Sequence, residues 1–224
     1  KAVRLTGGEP LLYPHIEELL ARIKQTGWFE DISMTTNGSL LAPRAEKLKE
    51  LGLNRVNISL DSLDSDAFAL CVGKADQLDS VLSGIQSAID AGFTSVKINT
   101  VLSRHWTDDE VRALLTYVET WPVIWRFIEY MPFQGDAFHG PTFDEWKAQL
   151  ERVSGGILTE NHGVYGFGPA TYYNLPSGKE IGFIFSMSHS YCDTCNRVRL
   201  TSDGQMRLCL LRDDEADLVS LVRR

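Results

Sequence analysis

Short apolar runs alternate with amphipathic stretches along the first 130 residues of this chain, and that beat restricts it to a sheet of parallel strands covered by helices. The runs Ala2–Leu5, Ile32–Thr35, Arg55–Leu60, Val96–Val101 and Ile124–Tyr130 read as strands. Between them His15–Thr26, Pro43–Leu51, Leu78–Ala91 and Asp108–Thr120 carry apolar residues at helical spacing, as in Ile16, Leu19, Leu20 and Ile23. Gly27, Gly52 and Gly92 stand where the first three helices should end, as residues able to take the left-handed cap conformation. A closed eight-fold barrel takes about 250 residues, so a chain of 224 is expected to form at most a partial one.

Beyond residue 132 the pattern changes. A helix is expected at Phe143–Val153, then a β-turn region around Gly166–Tyr173 and a strand at Glu180–Met187, read as the floor of a smaller antiparallel layer over the barrel mouth. Gly163, Gly166 and Gly168 resemble a nucleotide loop, but Pro169 and the flanking aromatics favour turns. The expected class is therefore α/β: a partial, TIM-like barrel over residues 1–132 and a C-terminal region with a small antiparallel β layer over 133–224. Lys1 enters directly as a strand and Leu218–Arg224 stops within an apolar pattern, so a fragment of a longer polypeptide is expected.

Parallel α/β folds place their sites at the C-terminal ends of the strands. Here those ends are polar: Thr6-Gly7-Gly8-Glu9-Pro10-Leu11, Thr36-Asn37-Gly38, Asp61-Ser62-Leu63-Asp64, Lys97-x-Asn99 within the fourth strand, and Glu129 with Met131-Pro132 after the fifth. Each alone has an ordinary explanation, such as tight turns, a helix cap at Ser62 or Asp64, or a solvated charge at Lys97. Five in succession point to a site.

Cysteines supply the second constraint. Cys192-x-x-Cys195 is followed by Cys209 after thirteen residues, and the intervening run contains Arg197 and Arg199. Three thiolates can leave one iron of a cubane cluster open to a substrate atom. On spacing alone, a zinc site completed by His162 or His189 and a disulfide both stay open. Cys71, far off in a predicted helix, reads as a core thiol. His105, His139 and His162 read as solvent-facing loop residues.

A net charge of −8 argues against broad nucleic-acid binding, because affinity for a polyanion comes mainly from neutralising phosphates. Any anionic ligand must therefore meet a local basic pocket. The sequence has no apolar run long enough to span a membrane and no signal-peptide pattern, and four cysteines in this length suit a reducing compartment, so a cytoplasmic protein is expected.

Gly7-Gly8-Glu9-Pro10 after a strand resembles the methionine-binding motif of radical S-adenosylmethionine enzymes, whose core is a six-stranded partial barrel. The wider set resembles the GTP 3′,8-cyclase family of molybdenum cofactor biosynthesis. It comprises Arg4–Leu11, Thr35–Gly38, Arg55–Asp64, Arg126–Pro132 and Cys192-x-x-Cys195-Asn196-Arg197-x-Arg199, in that order. The resemblance implies a lyase with S-adenosylmethionine and two [4Fe–4S] clusters. The first cluster would be held by a Cys-x-x-x-Cys-x-x-Cys loop expected upstream of Lys1. The second would be held by Cys192, Cys195 and Cys209, its open iron taking the guanine of GTP. Gly8 would contact the methionine part of the cofactor, Ser59 its ribose or carboxylate region and Met131 its adenine. A 5′-deoxyadenosyl radical would take hydrogen from C3′ of the ribose, C3′ would attack C8, and one-electron reduction would follow. Expected partners are GTP, a reductase or other electron donor and, as a homodimer, a second copy of the chain.

The residues themselves add a reason for the cations. No Gly-x-x-x-x-Gly-Lys-[Ser/Thr] loop is present, so side chains must neutralise a triphosphate. Arg4, Lys97, Arg126, Arg197 and Arg199 are the candidates, with a hydroxyl from Thr35. Two other readings stay in view. They are a different radical enzyme with an auxiliary cluster, and a zinc-stapled binding module.

Overall fold

The computed structural model describes residues 1–73, 77–132, 140–163, 168–209 and 215–223. The expected parallel strands are present as β1 (Ala2–Leu5), β2 (Asp31–Thr36), β3 (Arg55–Ser59), β4 (Ser95–Val101) and β5 (Ile124–Ile128). The helices between them are α1 (Ile16–Gln25), α2 (Ala45–Glu50), α3 (Ser65–Val72), α4 (Leu78–Asp90) and α5 (Asp108–Thr120). Gly27, Gly52 and Gly92 all take positive φ, as chain-reversing residues past α1, α2 and α4. Helix α3 carries Cys71, so the helix expected there is present, outside the four amphipathic stretches. Its N-terminus is capped by Asp64, whose carboxylate accepts the Ala67 N–H at 2.8 Å, so the helix-cap reading of Asp64 holds. Ser62 accepts the Asp64 N–H instead and shapes the turn before the cap.

After β5 come α6 (Phe143–Ser154), β6 (Thr159–Asn161), β7 (Thr171–Asn174) and β8 (Glu180–Ile184). Strand β8 pairs in parallel with β5 and becomes the sixth parallel strand of the main sheet; β7 and β6 then add antiparallel, giving the order β1-β2-β3-β4-β5-β8-β7-β6. This corrects the separate layer expected for Glu180–Met187. The Ile181–Ile184 ladder continues the buried sheet instead, with Ile181, Gly182 and Phe183 buried. Gly166 of the expected turn region, and His139, lie outside the described residues.

One face of the sheet is apolar. Ile32, Met34, Val56, Ile58, Val96, Ile98, Trp125, Phe127, Ile181 and Phe183 join Leu20 of α1, Leu48 of α2, Ile85 of α4, Val111 and Leu114 of α5 and Trp146 of α6 in one core. The other face is polar, and the sheet curls around it. Arg4 on β1 and Arg126 on β5 would stand about 19 Å apart across four flat strand spacings, yet the Arg4 charge lowers the Arg126 pKa. Charge reaches across because the sheet bends into a partial barrel.

Chain contacts divide the molecule into two compact units, Lys1–His189 and Ser190–Arg224. The second contains β9 (Arg199–Leu200), β10 (Gln205–Arg207) and β11 (Glu215–Asp217) in an antiparallel sheet, followed by α7 (Leu218–Val222). None of its described residues is buried. Among the described residues no helix is long and apolar enough to cross a membrane.

Candidate active site

Period-two alternation brings three of the predicted cations, Arg4, Lys97 and Arg126, to one face of the main sheet. Strand register sets Arg4 beside Ser33 and Arg55, sets Thr35 beside Asn57 and Lys97, and runs Ser59, Asn99, Arg126, Gly182 and Tyr172 across five strands. All stand on the polar face.

Arg126 is 3% exposed and Lys97 2%, so the solvated-charge reading of Lys97 is wrong. Arg126 donates from Nε to Asn99 Oδ1 at 2.9 Å, and from Nη2 to Asn57 Oδ1 at 2.8 Å and Asn99 Oδ1 at 2.6 Å. Lys97 Nζ donates to the Tyr172 hydroxyl at 3.1 Å. Burial, reinforced by the charges of Arg126, Arg55 and Arg4, pulls the Lys97 ammonium down to about 7. Burial also lowers Arg126 to about 10, against the counteracting Tyr172. Gly182 is required beneath this pair, since a Cβ there would lie 2.9 Å from Arg126 Cγ and 3.0 Å from the Tyr172 ring. Arg4 lies more exposed at the β1 end, with Nε 3.5 Å from Ser33 Oγ, and Thr35 accepts from Asn57 Nδ2 at 3.5 Å.

Asn57, Arg55 and Tyr172 were not singled out from sequence as site residues. The signal for the first two was Arg55-x-Asn57-x-Ser59, polar residues at strand period on a strand otherwise apolar.

The strand-end loops border this face. Glu9 locks the first two together: one carboxylate oxygen accepts from Leu11 N at 3.0 Å and Thr36 Oγ1 at 2.7 Å, the other from Asn37 N at 2.7 Å. Gly7 and Gly8 beside it face open space, so a ligand can approach their backbone. Ser59 is half-buried at the end of β3. Asp61 beyond it accepts the Val101 N–H at 2.8 Å, and burial raises its carboxyl pKa. After β5, Glu129 accepts Met187 N at 2.6 Å and Ser188 N at 3.1 Å, which ties the loop leaving β8 to the strand end that carries half-buried Met131.

The cysteine triplet lies in the Ser190–Arg224 unit. Cys192–Thr194 forms a single 3-10 turn closed by the Cys195 N–H donating to Cys192 O at 3.1 Å. The Arg197 backbone N–H, then its guanidinium, hold the Cys195 thiol below its ordinary pKa, and the same guanidinium lies 5.0 Å from the Tyr191 ring. Arg199 starts β9, which is two residues long, so Arg197 precedes the strand instead of sharing it. Cys209 follows β10, half-buried. No cysteine forms a disulfide, and Cys71 is exposed on α3, not in the core. Among the described residues no three His, Cys, Asp or Glu side chains gather as a metal-binding group. His162 is exposed, 3.8 Å from Glu160, and His189 packs against Phe143. The donor set nevertheless fits an iron–sulfur group: three thiols, one already polarised toward thiolate, on a segment without a core that a metal would gather.

Comparison with known proteins shows the family. Residues 1–118 match the family described as Radical SAM superfamily, and residues 123–224 that described as Molybdenum Cofactor Synthesis C. A protein of Heliobacterium modesticaldum named GTP 3′,8-cyclase is 41% identical over the whole of this chain and 69% of its own length. Another of that name, from Trichodesmium erythraeum, is 44% identical over 98% of this chain and 69% of its own length. The crystal structure of Streptococcus suis SuiB bound to S-adenosylmethionine superposes with a TM-score of 0.65 at 14% identity, covering 98% of this chain and 52% of that one, a likeness of fold. With the profile covering its first half and the relatives covering its length, the chain belongs to the GTP 3′,8-cyclase family of the radical SAM superfamily.

Proposed function

We propose that this chain forms the substrate-binding body of a GTP 3′,8-cyclase, converting GTP to 3′,8-cyclo-7,8-dihydro-GTP in molybdenum cofactor biosynthesis. The observation that carries the reading is the buried cationic face, on which Lys97 donates to the Tyr172 hydroxyl and Arg126 donates to the Asn57 and Asn99 amides. Such a face suits a triphosphate, because an anion relieves the desolvation that both cations suffer.

Arg4, Thr35, Lys97 and Arg126 would bind phosphate from the sheet, and Arg197 and Arg199 are proposed as further GTP-binding residues. Gly8, Ser59 and Met131 would seat S-adenosylmethionine at the strand ends; Cys192, Cys195 and Cys209 would hold a [4Fe–4S] cluster that receives the guanine. When bound, these groups supply an adenosyl radical and electrons. The chain's share is geometric: side chains on hydrogen-bonded strands fix the phosphates, and so the ribose, in one orientation, and the curled sheet keeps water from it. Activity, a lyase reaction, belongs to a polypeptide that also carries a Cys-x-x-x-Cys-x-x-Cys segment, which these 224 residues do not contain. It draws electrons from a separate donor and suits the cytoplasm.

The test uses Arg197→Ala and Arg199→Ala in the full-length enzyme. Each should keep its iron and sulfide content and lose GTP affinity. Unchanged GTP affinity in both removes these two residues from the site.

A further inference from the structure

We propose that Asn99, with Asn57, is a specificity-determining positioning residue: the two amides orient the Arg126 fork while leaving its charge uncancelled for a polyphosphate. The inference rests on the cyclase reading for the identity of that anion.

A buried arginine ordinarily meets a carboxylate. Here each described partner of the Arg126 guanidinium is neutral. Asn99 Oδ1 accepts from both Nε and Nη2, and Asn57 Oδ1 accepts from Nη2. The Asn57 amide is itself turned this way by β2, since its Nδ2 lies 3.4 Å from Met34 O and 3.5 Å from Thr35 Oγ1, leaving the oxygen for Arg126. Tyr172, the third group bonded to Arg126, is a phenol whose pKa is raised by burial, so it stays uncharged.

The charges around Arg126 and Lys97 come from β1 to β4. Arg4 on β1, Arg55 on β3 and Lys97 on β4 add positive potential, and Asp31 on β2 opposes it. Asp31 is already engaged by Arg55 through Nε at 2.6 Å and a second bond through Nη2. That carboxylate, at the start of β2, is thus already engaged. Two amides in place of one aspartate give up stability in the free protein, and an anionic ligand restores it on binding. A site meant only to hold the barrel together would gain from a carboxylate at position 99.

The decisive variant is Asn99→Asp in the full-length polypeptide, with Asn57→Asp as a second instance of the affinity measurement. Asn99→Asp keeps the side-chain shape and pairs Arg126 with a charge. It should melt at or above the wild-type temperature and yet bind GTP and inorganic tripolyphosphate about tenfold or more weaker. Guanosine, which lacks the phosphates, should bind wild type and variant alike. The idea is overturned if tripolyphosphate affinity is unchanged in both aspartate variants, or if guanosine affinity falls along with that for GTP. It is equally overturned if Asn99→Asp fails to fold or melts lower, since a carboxylate beside an uncancelled guanidinium must stabilise it. Wild-type protein that binds neither GTP nor tripolyphosphate overturns the cyclase reading itself.

Discussion

Lys97 stands in the middle of β4, 2% exposed, with an ammonium lowered from 10.5 to about 7. The sign of its effect on stability follows from linkage. The unfolded chain binds the proton up to about pH 10.5, whereas the folded chain releases it near pH 7. The destabilisation is therefore fully present below pH 7 and fades as pH rises toward 10.5. Lys97→Met removes the charge and keeps most of the volume. Urea unfolding should find it more stable than wild type by about 1–4 kcal/mol at pH 6, with the gap narrowing by pH 9. A gap that stays constant with pH, or a less stable variant at pH 6, would show that Lys97 is stabilised by its neighbours. In sequence Lys97 could be seen as a cation near a strand end but not as buried, because its surroundings come from Asn57 and Tyr172, 40 and 75 residues away. Cys71 failed for the opposite reason: it is apolar in a helix, but it falls on the outward side of α3.

The elements themselves were largely legible. Strands β1–β5 and the helices α1, α2, α4 and α5 announce themselves by local periodicity, and α5 and α6 each begin with a threonine–glutamate capping box. Strand β8 was recognisable as a strand, but its partner was not: pairing with β5 is set by the curl of the whole sheet, not by its own residues. Helix α4 approaches the loop after β2 closely. A Cβ at Gly84 would lie 2.3 Å from Gly38 O and 3.3 Å from Leu41 Cβ, and Gly38 itself takes φ +79°. Helix α4 can therefore only seat through glycine. Gly84→Ala should cost about 1–3 kcal/mol by urea denaturation as the helix is pushed off the loop. It should also weaken ligand binding at the strand ends, since that loop carries the Thr36 and Asn37 groups that Glu9 holds. A cost under about 0.5 kcal/mol would mean that the loop yields freely.

At the scale of the molecule the two compact units differ in what can hold them. Lys1–His189 has a continuous apolar core from Leu11 to Phe185. Ser190–Arg224 has no buried residue among those described, only three short strands, a five-residue helix and hydrogen-bonded turns such as that at Thr201–Gln205. Domains below about 40 residues usually need a metal, disulfides or association to stay folded, and its two cysteines at the turn and one after β10 form no disulfide. A metal bound by those thiolates would be part of the folding free energy of this unit. Hydrogen exchange on the full-length protein should then show a divided response when its iron is removed by chelation. Amides of β9 and β10 should lose protection while those of β3, β4 and β5 keep theirs. Serine at Cys192 should reproduce the same division without chelator, because losing one ligand releases the turn that begins the unit. Equal protection of β9 and β10 in the iron-loaded and iron-free protein would show that the segment folds on backbone hydrogen bonds alone, and would leave the three cysteines without a structural part.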